Sequence, residues 1–160
     1  TKHNSCNIRA YGGELLLAGV EGEDDGSSDN SIKERNRKML SKSWGVTDRA
    51  SADAALLRLL ESGRSTGSAW DYSRAMSNLG FYYLAGYYPI TESLDRSLEV
   101  ARTIQQTYGS WDEFIASYLA GYHAWAGDEA ENRDLIYEGL KGSAFNPYAV
   151  DWNLELKKTW

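Results

Sequence analysis

The 160-residue chain has one cysteine, two histidines and two prolines. Cys6 alone can close no internal disulfide and build no cysteine-based metal site. Neither His3 nor His123 has a second histidine at ligand spacing, so the several His or Cys ligands of a zinc site are missing and no cofactor is expected. The scarcity of proline favours helices, because an interior proline costs a helix about 3 kcal/mol. No apolar run approaches the roughly 20 residues that a membrane-spanning helix requires. Positive charge is also in deficit, with 17 Lys and Arg against 23 Asp and Glu and a net charge of −6. That balance disfavours nucleic acid and anionic membrane as partners, since both repel an acidic surface. It suits a basic protein partner, and equally plain solubility. Aromatic residues, by contrast, are abundant: six Trp and eleven Tyr supply large buried area and polar tips that seek partners.

A chain of this length fits one domain and buries about 70% of its unfolded surface without covalent staples. The cytoplasm is the expected location. The start at Thr1 is compatible with a removed signal peptide or with trimming. Residues 1–30 read as a flexible N-terminal segment, with a short helix at 11–20 through Leu15, Leu16 and Leu17 and an acidic loop at 21–30. Glu21, Glu23, Asp25 and Gly26 imitate the start of a calcium loop, but its twelfth position holds Ile32 where a bidentate Glu is required. Glu21, Glu23, Asp24, Asp25 and Asp29 are therefore read as a solvated acidic surface open to a protein partner.

From residue 31 onward the chain reads as an all-α domain, a single compact bundle of about six to seven helices joined by short loops. Helices are expected near 31–43, 48–62, 69–86, 92–108, 111–126 and 129–141. Capping-box patterns mark their starts at Ser31 with Glu34, Ser68 with Asp71, Ser110 with Glu113 and Asp128 with Glu131. Gly63, Gly109, Gly127 and Gly142 stand where left-handed terminating residues are wanted. Leu94, Leu98, Ala101, Ile104 and Tyr108 make one apolar stripe; Trp111, Phe114, Ile115, Tyr118, Leu119, Tyr122 and Trp125 make an aromatic one. The helix at 69–86 is apolar nearly all round, which makes it the expected centre. It shares Leu-Ala-Gly-Tyr with the helix at 111–126, and both are expected to be largely buried.

Gly63-Arg64-Ser65-Thr66-Gly67 matches G-x-S-x-G, but a nucleophile elbow follows a strand and this stretch follows a Leu-rich helix. His123 reads as a hydrogen-bonded helix residue. Trp70-Asp71-Tyr72-Ser73-Arg74 is more informative. Asp71 and Arg74 stand three apart on one helix face, and Asp71 sits in the first turn, where a carboxylate is favoured. They form either an ion pair that fixes register or an arginine at the floor of an anion-binding pocket.

Several further groups resemble a known family in order and spacing. They are Trp44-Gly45-Val46, Ala69-Trp70-Asp71 with Arg74, Tyr83-Leu84-Ala85-Gly86-Tyr87, Tyr108-Gly109-Ser110-Trp111-Asp112-Glu113-Phe114, then Tyr118, Gly121, Trp125, Asn146-Pro147-Tyr148 and Trp152. From about Lys33 onward the chain resembles the bacterial domain-of-unknown-function family numbered 1266. The resemblance implies a helical bacterial domain and no established activity.

The residues contain no obvious paired general acid and base or activated nucleophile. The expected function is thus a non-catalytic one, exercised through contact with another protein of basic character, as an immunity protein or antitoxin contacts a toxin. The alternatives are a small-molecule site or a hydrolase pocket around Asp71 and Arg74, walled by Tyr72, Tyr118, Tyr122, His123 and Trp125.

Overall fold

The computed structural model describes residues 28–127 and 132–160, with side chains described from Asn30 onward. The short helix expected at 11–20, the acidic residues Glu21, Glu23, Asp24, Asp25 and the side chain of Asp29, and the Asp128 cap lie outside the described residues. Six α-helices follow in order: α1 Ser28–Trp44, α2 Arg49–Thr66, α3 Ala69–Leu84, α4 Ile90–Thr107, α5 Trp111–Ala126 and α6 Arg133–Lys141. A 3₁₀ turn at Pro147–Ala149 and an extended tail complete the chain. No strand occurs among the described residues.

Two starts differ from the sequence pattern. Ser31 lies inside α1, which begins at Ser28, and so does not mark its start. Ser68 does precede α3, but its hydroxyl makes no cap bond, and the Asp71 carboxylate is taken by Ser62 and Arg74. A true capping box lies at Asp48 and Ser51: Asp48 accepts from the Ser51 amide at 2.8 Å while the Ser51 hydroxyl accepts from the Asp48 amide at 3.0 Å. At α5 the exchange is offset by one residue. Ser110 accepts from the Glu113 amide, and Glu113 reaches back to the Gly109 amide at 2.6 Å.

The expected stop at Gly63 is not a stop. α2 runs on to Thr66 and ends at Gly67, whose φ of 66° is the left-handed geometry that glycine adopts without strain. Gly63 instead gives up its side chain to let Tyr72 in; a Cβ there would stand 3.0 Å from the Tyr72 ring. This placement also disposes of the G-x-S-x-G pattern, because Ser65 sits in the last turn of a helix and its hydroxyl donates to the Ser62 carbonyl.

α3 is the central element and packs against α1, α2, α4 and α5. Tyr72, Ala75, Leu79 and Tyr82 are fully buried along it, against Leu40, Val46, Ala52, Ala55, Leu56 and Val100. Burying side chains of this size stabilises by about 1.5–3 kcal/mol each relative to exposure. Ser93 of α4 holds the register by donating its hydroxyl to the Leu79 carbonyl at 2.6 Å, both groups being buried. Between α2 and α4, Arg49 and Arg96 flank the Tyr88 ring and pair with Glu92, while Tyr88 donates to Asp53.

The four-residue match Leu-Ala-Gly-Tyr hides two different structures. At Gly86 the chain leaves α3 with φ 72°. Gly121 stays inside α5, where a Cβ would lie 2.5 Å from Trp70 Cβ. The expectation that both aromatic helices form the buried centre holds for α3 and fails for α5. Within α5 only Tyr122 is buried, and Trp125 is 68% exposed. The reason is that α5 meets one large element, α3, and its other faces have little to cover them.

Candidate functional site

The candidate site grows from the junction of α3, α5 and α6. The turn between α2 and α3 is tied to α5 by Ser117, which accepts from the Ala69 amide at 3.0 Å and donates to the Gly67 carbonyl at 3.1 Å. Tyr108 donates to the same carbonyl at 2.8 Å. These bonds fix Trp70, in the first turn of α3, against the bare backbone of Gly121.

Around Trp70 the α5 aromatics form a wall. Ring centroids lie 5.3 Å away for Tyr118, 5.5 Å for Tyr122 and 5.7 Å for Trp125. Two guanidinium groups adjoin it. Arg74 lies 5.0 Å from the Trp70 ring and 5.7 Å from Trp44, while Arg133 lies 3.7 Å from the Tyr122 centroid and 5.5 Å from Trp70. Arg133 also donates to the Tyr118 hydroxyl. A cation over an aromatic face is worth about 0.5–2 kcal/mol, the more so where water is excluded.

Asp71 and Arg74 realise the ion pair. The Arg74 guanidinium donates to one oxygen of the buried Asp71 carboxylate, and the Ser62 hydroxyl donates to the other at 2.8 Å. The pair thereby joins α2 to α3 beneath two indole rings. Trp70, Arg74, Asn78 and Tyr82 follow one another at four-residue intervals along α3, and each buries polar atoms without a hydrogen-bond partner. Burial pushes the Tyr82 phenol up to about 12.

Of the other residues expected at the site, Tyr118, Tyr122 and Trp125 join the Trp70 wall. Tyr72 does not; its ring is turned to the opposite side, against Gly63 and a small cavity of about 90 Å³ shared with Leu56, Leu60 and Val100. His123 stacks beside Tyr122 and its Nε2 lies 3.0 Å from the Asp134 carboxylate on α6. Trp70 and Arg133 were not singled out from the sequence as binding residues. Trp70 is indistinguishable from a core tryptophan until Gly121 is seen beneath it. Arg133, in an acidic stretch of the sequence, carries no local signal of the rings it meets.

The α5–α6 hairpin opens a groove of about 300 Å³. Ile115, Ala116 and Leu119 line its α5 side; Asp134, Tyr137, Glu138 and Lys141 line the α6 side, with Asp112 at one end. Two polar pairs bracket it, the ion pair of Lys141 with Asp112 at 2.6 Å and the contact of His123 with Asp134 at 3.0 Å. Tyr137 also donates to Asp112. The rim thus carries three carboxylates against one ammonium. α6 is amphipathic but buries none of its residues, and Leu135 is 69% exposed. No group of three or more His, Cys, Asp or Glu able to hold a metal occurs among the described residues, and no described helix is long and apolar enough to cross a membrane.

The family model described as Protein of unknown function (DUF1266) matches residues 65–152, more than half of the chain. The matched span runs from the last turn of α2 to Trp152 and includes Trp70, its aromatic wall and both sides of the groove. Trp44-Gly45-Val46 precedes it. No curated protein and no solved structure matches the chain.

Proposed function

The chain belongs to the DUF1266 family, and we propose that it acts through protein–protein contact, receiving a basic segment of another protein in the α5–α6 groove. The observation that supports this reading is the groove itself: an apolar floor of Ile115, Ala116 and Leu119 under a rim of Asp112, Asp134 and Glu138. α6 is nine residues long, which at 1.5 Å per residue gives a groove of about 13 Å, room for two turns of a partner helix. Lysines or arginines on that helix would meet the carboxylates, and an apolar residue between them would meet Leu119. The net charge of −6 would steer such a partner over a longer range and speed the encounter. Trp125, large and exposed near the C-terminal end of α5, is of the type that dominates interface energetics, although it lies on the Trp70 side of the helix and not in the groove. An acidic chain covering a basic toxin in the cytoplasm, in the manner of an immunity protein or antitoxin, would use these features directly.

The experiment uses two substitutions that leave the core untouched. Glu138→Lys inverts part of the rim, and Ala116→Arg fills the floor from an exposed position. Both variants should keep the wild-type melting curve and lose a basic partner recovered from the native cell, with at least about tenfold weaker binding. Partner binding unchanged in both variants would end the groove reading. Asp71 and Arg74 support no second reading, since the carboxylate is held by Ser62 and Arg74. Neither lines either of the two cavities described above.

A further inference from the structure

We infer that the cleft between α2 and α4 is a binding site for a small free α-amino acid, one with a short hydroxyl-bearing side chain such as that of threonine. The site shares no residue with the α5–α6 groove, and it stands apart from the protein-contact reading.

The cleft follows from the packing. α2 and α4 both lie on α3 and scarcely on each other, so a cavity of about 90 Å³ opens between them. Leu56 and Leu60 of α2 and Val100 of α4 wall it. Tyr72 of α3, the least exposed of the lining side chains, forms its inner end. A water molecule takes roughly 30 Å³ in the liquid, so the volume has room for about three groups of that size. That is the size of a threonine side chain beyond its α-carbon.

Three of the lining side chains carry polar groups with no hydrogen-bond or ion-pair partner among the described residues. Tyr72 is 1% exposed, yet its hydroxyl bonds to none of them. Leaving a buried polar group unpaired costs about 1–3 kcal/mol, so a visitor that supplies a partner is favoured. Arg64, in the last turn of α2, and Glu99, on the α4 side, are the other two, and both are exposed at the mouth. The Arg96 guanidinium beside them is already held by Glu92 and Asp53. An uncommitted cation and an uncommitted anion above an apolar pocket match a zwitterion. Its carboxylate meets Arg64, its ammonium meets Glu99, and its side chain points inward. A simple carboxylate would set its charge against Glu99, and a simple amine would set its charge against Arg64. Inside, Leu56, Leu60 and Val100 receive a methyl group, and the Tyr72 hydroxyl receives the hydroxyl.

The test titrates four small molecules into the wild-type protein and follows the Tyr72 ring and Val100 methyl signals by NMR. L-Threonine carries all three groups. 3-Hydroxybutyrate lacks the ammonium, 1-amino-2-propanol lacks the carboxylate, and L-valine replaces the hydroxyl by a methyl of similar size. Threonine should bind saturably, with its largest shifts at Tyr72 and Val100, and each of the others at least about tenfold more weakly. Arg64→Gln and Glu99→Gln change exposed positions, so they should keep the wild-type melting curve while weakening threonine binding at least about tenfold. Tyr72→Phe should make threonine and valine equal. If Tyr72→Phe fails to fold, the comparison of threonine with valine in the wild type decides that point alone. Equal response to all four compounds, no saturable shift with threonine, or shifts away from Tyr72 and Val100 overturns the site. Threonine affinity unchanged in both Arg64→Gln and Glu99→Gln overturns it as well. None of these results bears on the groove, which Glu138→Lys and Ala116→Arg judge separately.

Discussion

Gly121 and Gly139 are both glycines within the hairpin helices, and the sequence treats them alike. Their surroundings do not. A Cβ on Gly121 would lie 2.5 Å from Trp70 Cβ and 3.0 Å from the Ser68 hydroxyl, whereas one on Gly139 would meet nothing within 4 Å. Alanine gains about 1 kcal/mol over glycine from helix propensity alone, and overpacking costs about 1–3 kcal/mol. Gly139→Ala should therefore raise the melting temperature of α6, and Gly121→Ala should destabilise the domain by about 1–2 kcal/mol in urea unfolding. A second residue-scale expectation concerns Asn78. It is 1% exposed and none of its side-chain polar atoms has a partner. An unsatisfied buried amide costs about 1–3 kcal/mol, and an apolar group of similar shape removes that cost. Asn78→Leu should shift the urea midpoint upward by the equivalent of about 1 kcal/mol; a downward shift would show that the amide is satisfied in solution. Neither feature is visible in the sequence, where Asn78 interrupts an apolar helix without revealing which neighbours face it.

At the scale of elements, the six helices were legible because their signals are local: few prolines, caps, and apolar residues at helical spacing. Starts and ends were less so. Gly63 and Gly67 stand four apart after the same helix, and which one terminates it depends on where the Tyr72 ring needs room, a tertiary fact. The same holds for the burial of α5, whose stripe of rings reads as a core helix until α3 proves to be its one large neighbour. The site was legible in part. Arg74, Tyr118, Tyr122 and Trp125 do gather around Trp70, but the groove depends on the antiparallel return of α6, which no short motif announces. That return is held at its far end by Asp112. Hydrogen bonds from Lys141 and then from Tyr137 keep the Asp112 carboxyl below its ordinary value of 3.8. Its folded value lies below its unfolded one, so this link is fully present above pH about 4 and is lost as pH falls through the lowered value. On acidification below pH 4, the ring signals of Tyr137 should lose their folded dispersion before those of the buried Tyr82, and Asp112→Asn should remove that pH dependence.

For the whole molecule, the distribution of burial and charge separates a rigid part from a receptive one. α3 sits among α1, α2, α4 and α5 and holds Trp70 in place, while α6 lies outside this core with its apolar face incompletely covered. A net charge of −6 spread over the chain is unspecific, but three carboxylates around an apolar floor select for a basic and amphipathic visitor. The most direct measurement of this claim is site-specific photo-cross-linking in the native cell, with a benzophenone side chain placed at Tyr137 on the α6 side of the groove, or at Leu57, an exposed position on α2, as control. The groove position should capture one basic protein that the Leu57 position does not, and Glu138→Lys should abolish the adduct. Adducts equal at both positions, or a groove adduct indifferent to Glu138→Lys, would contradict it.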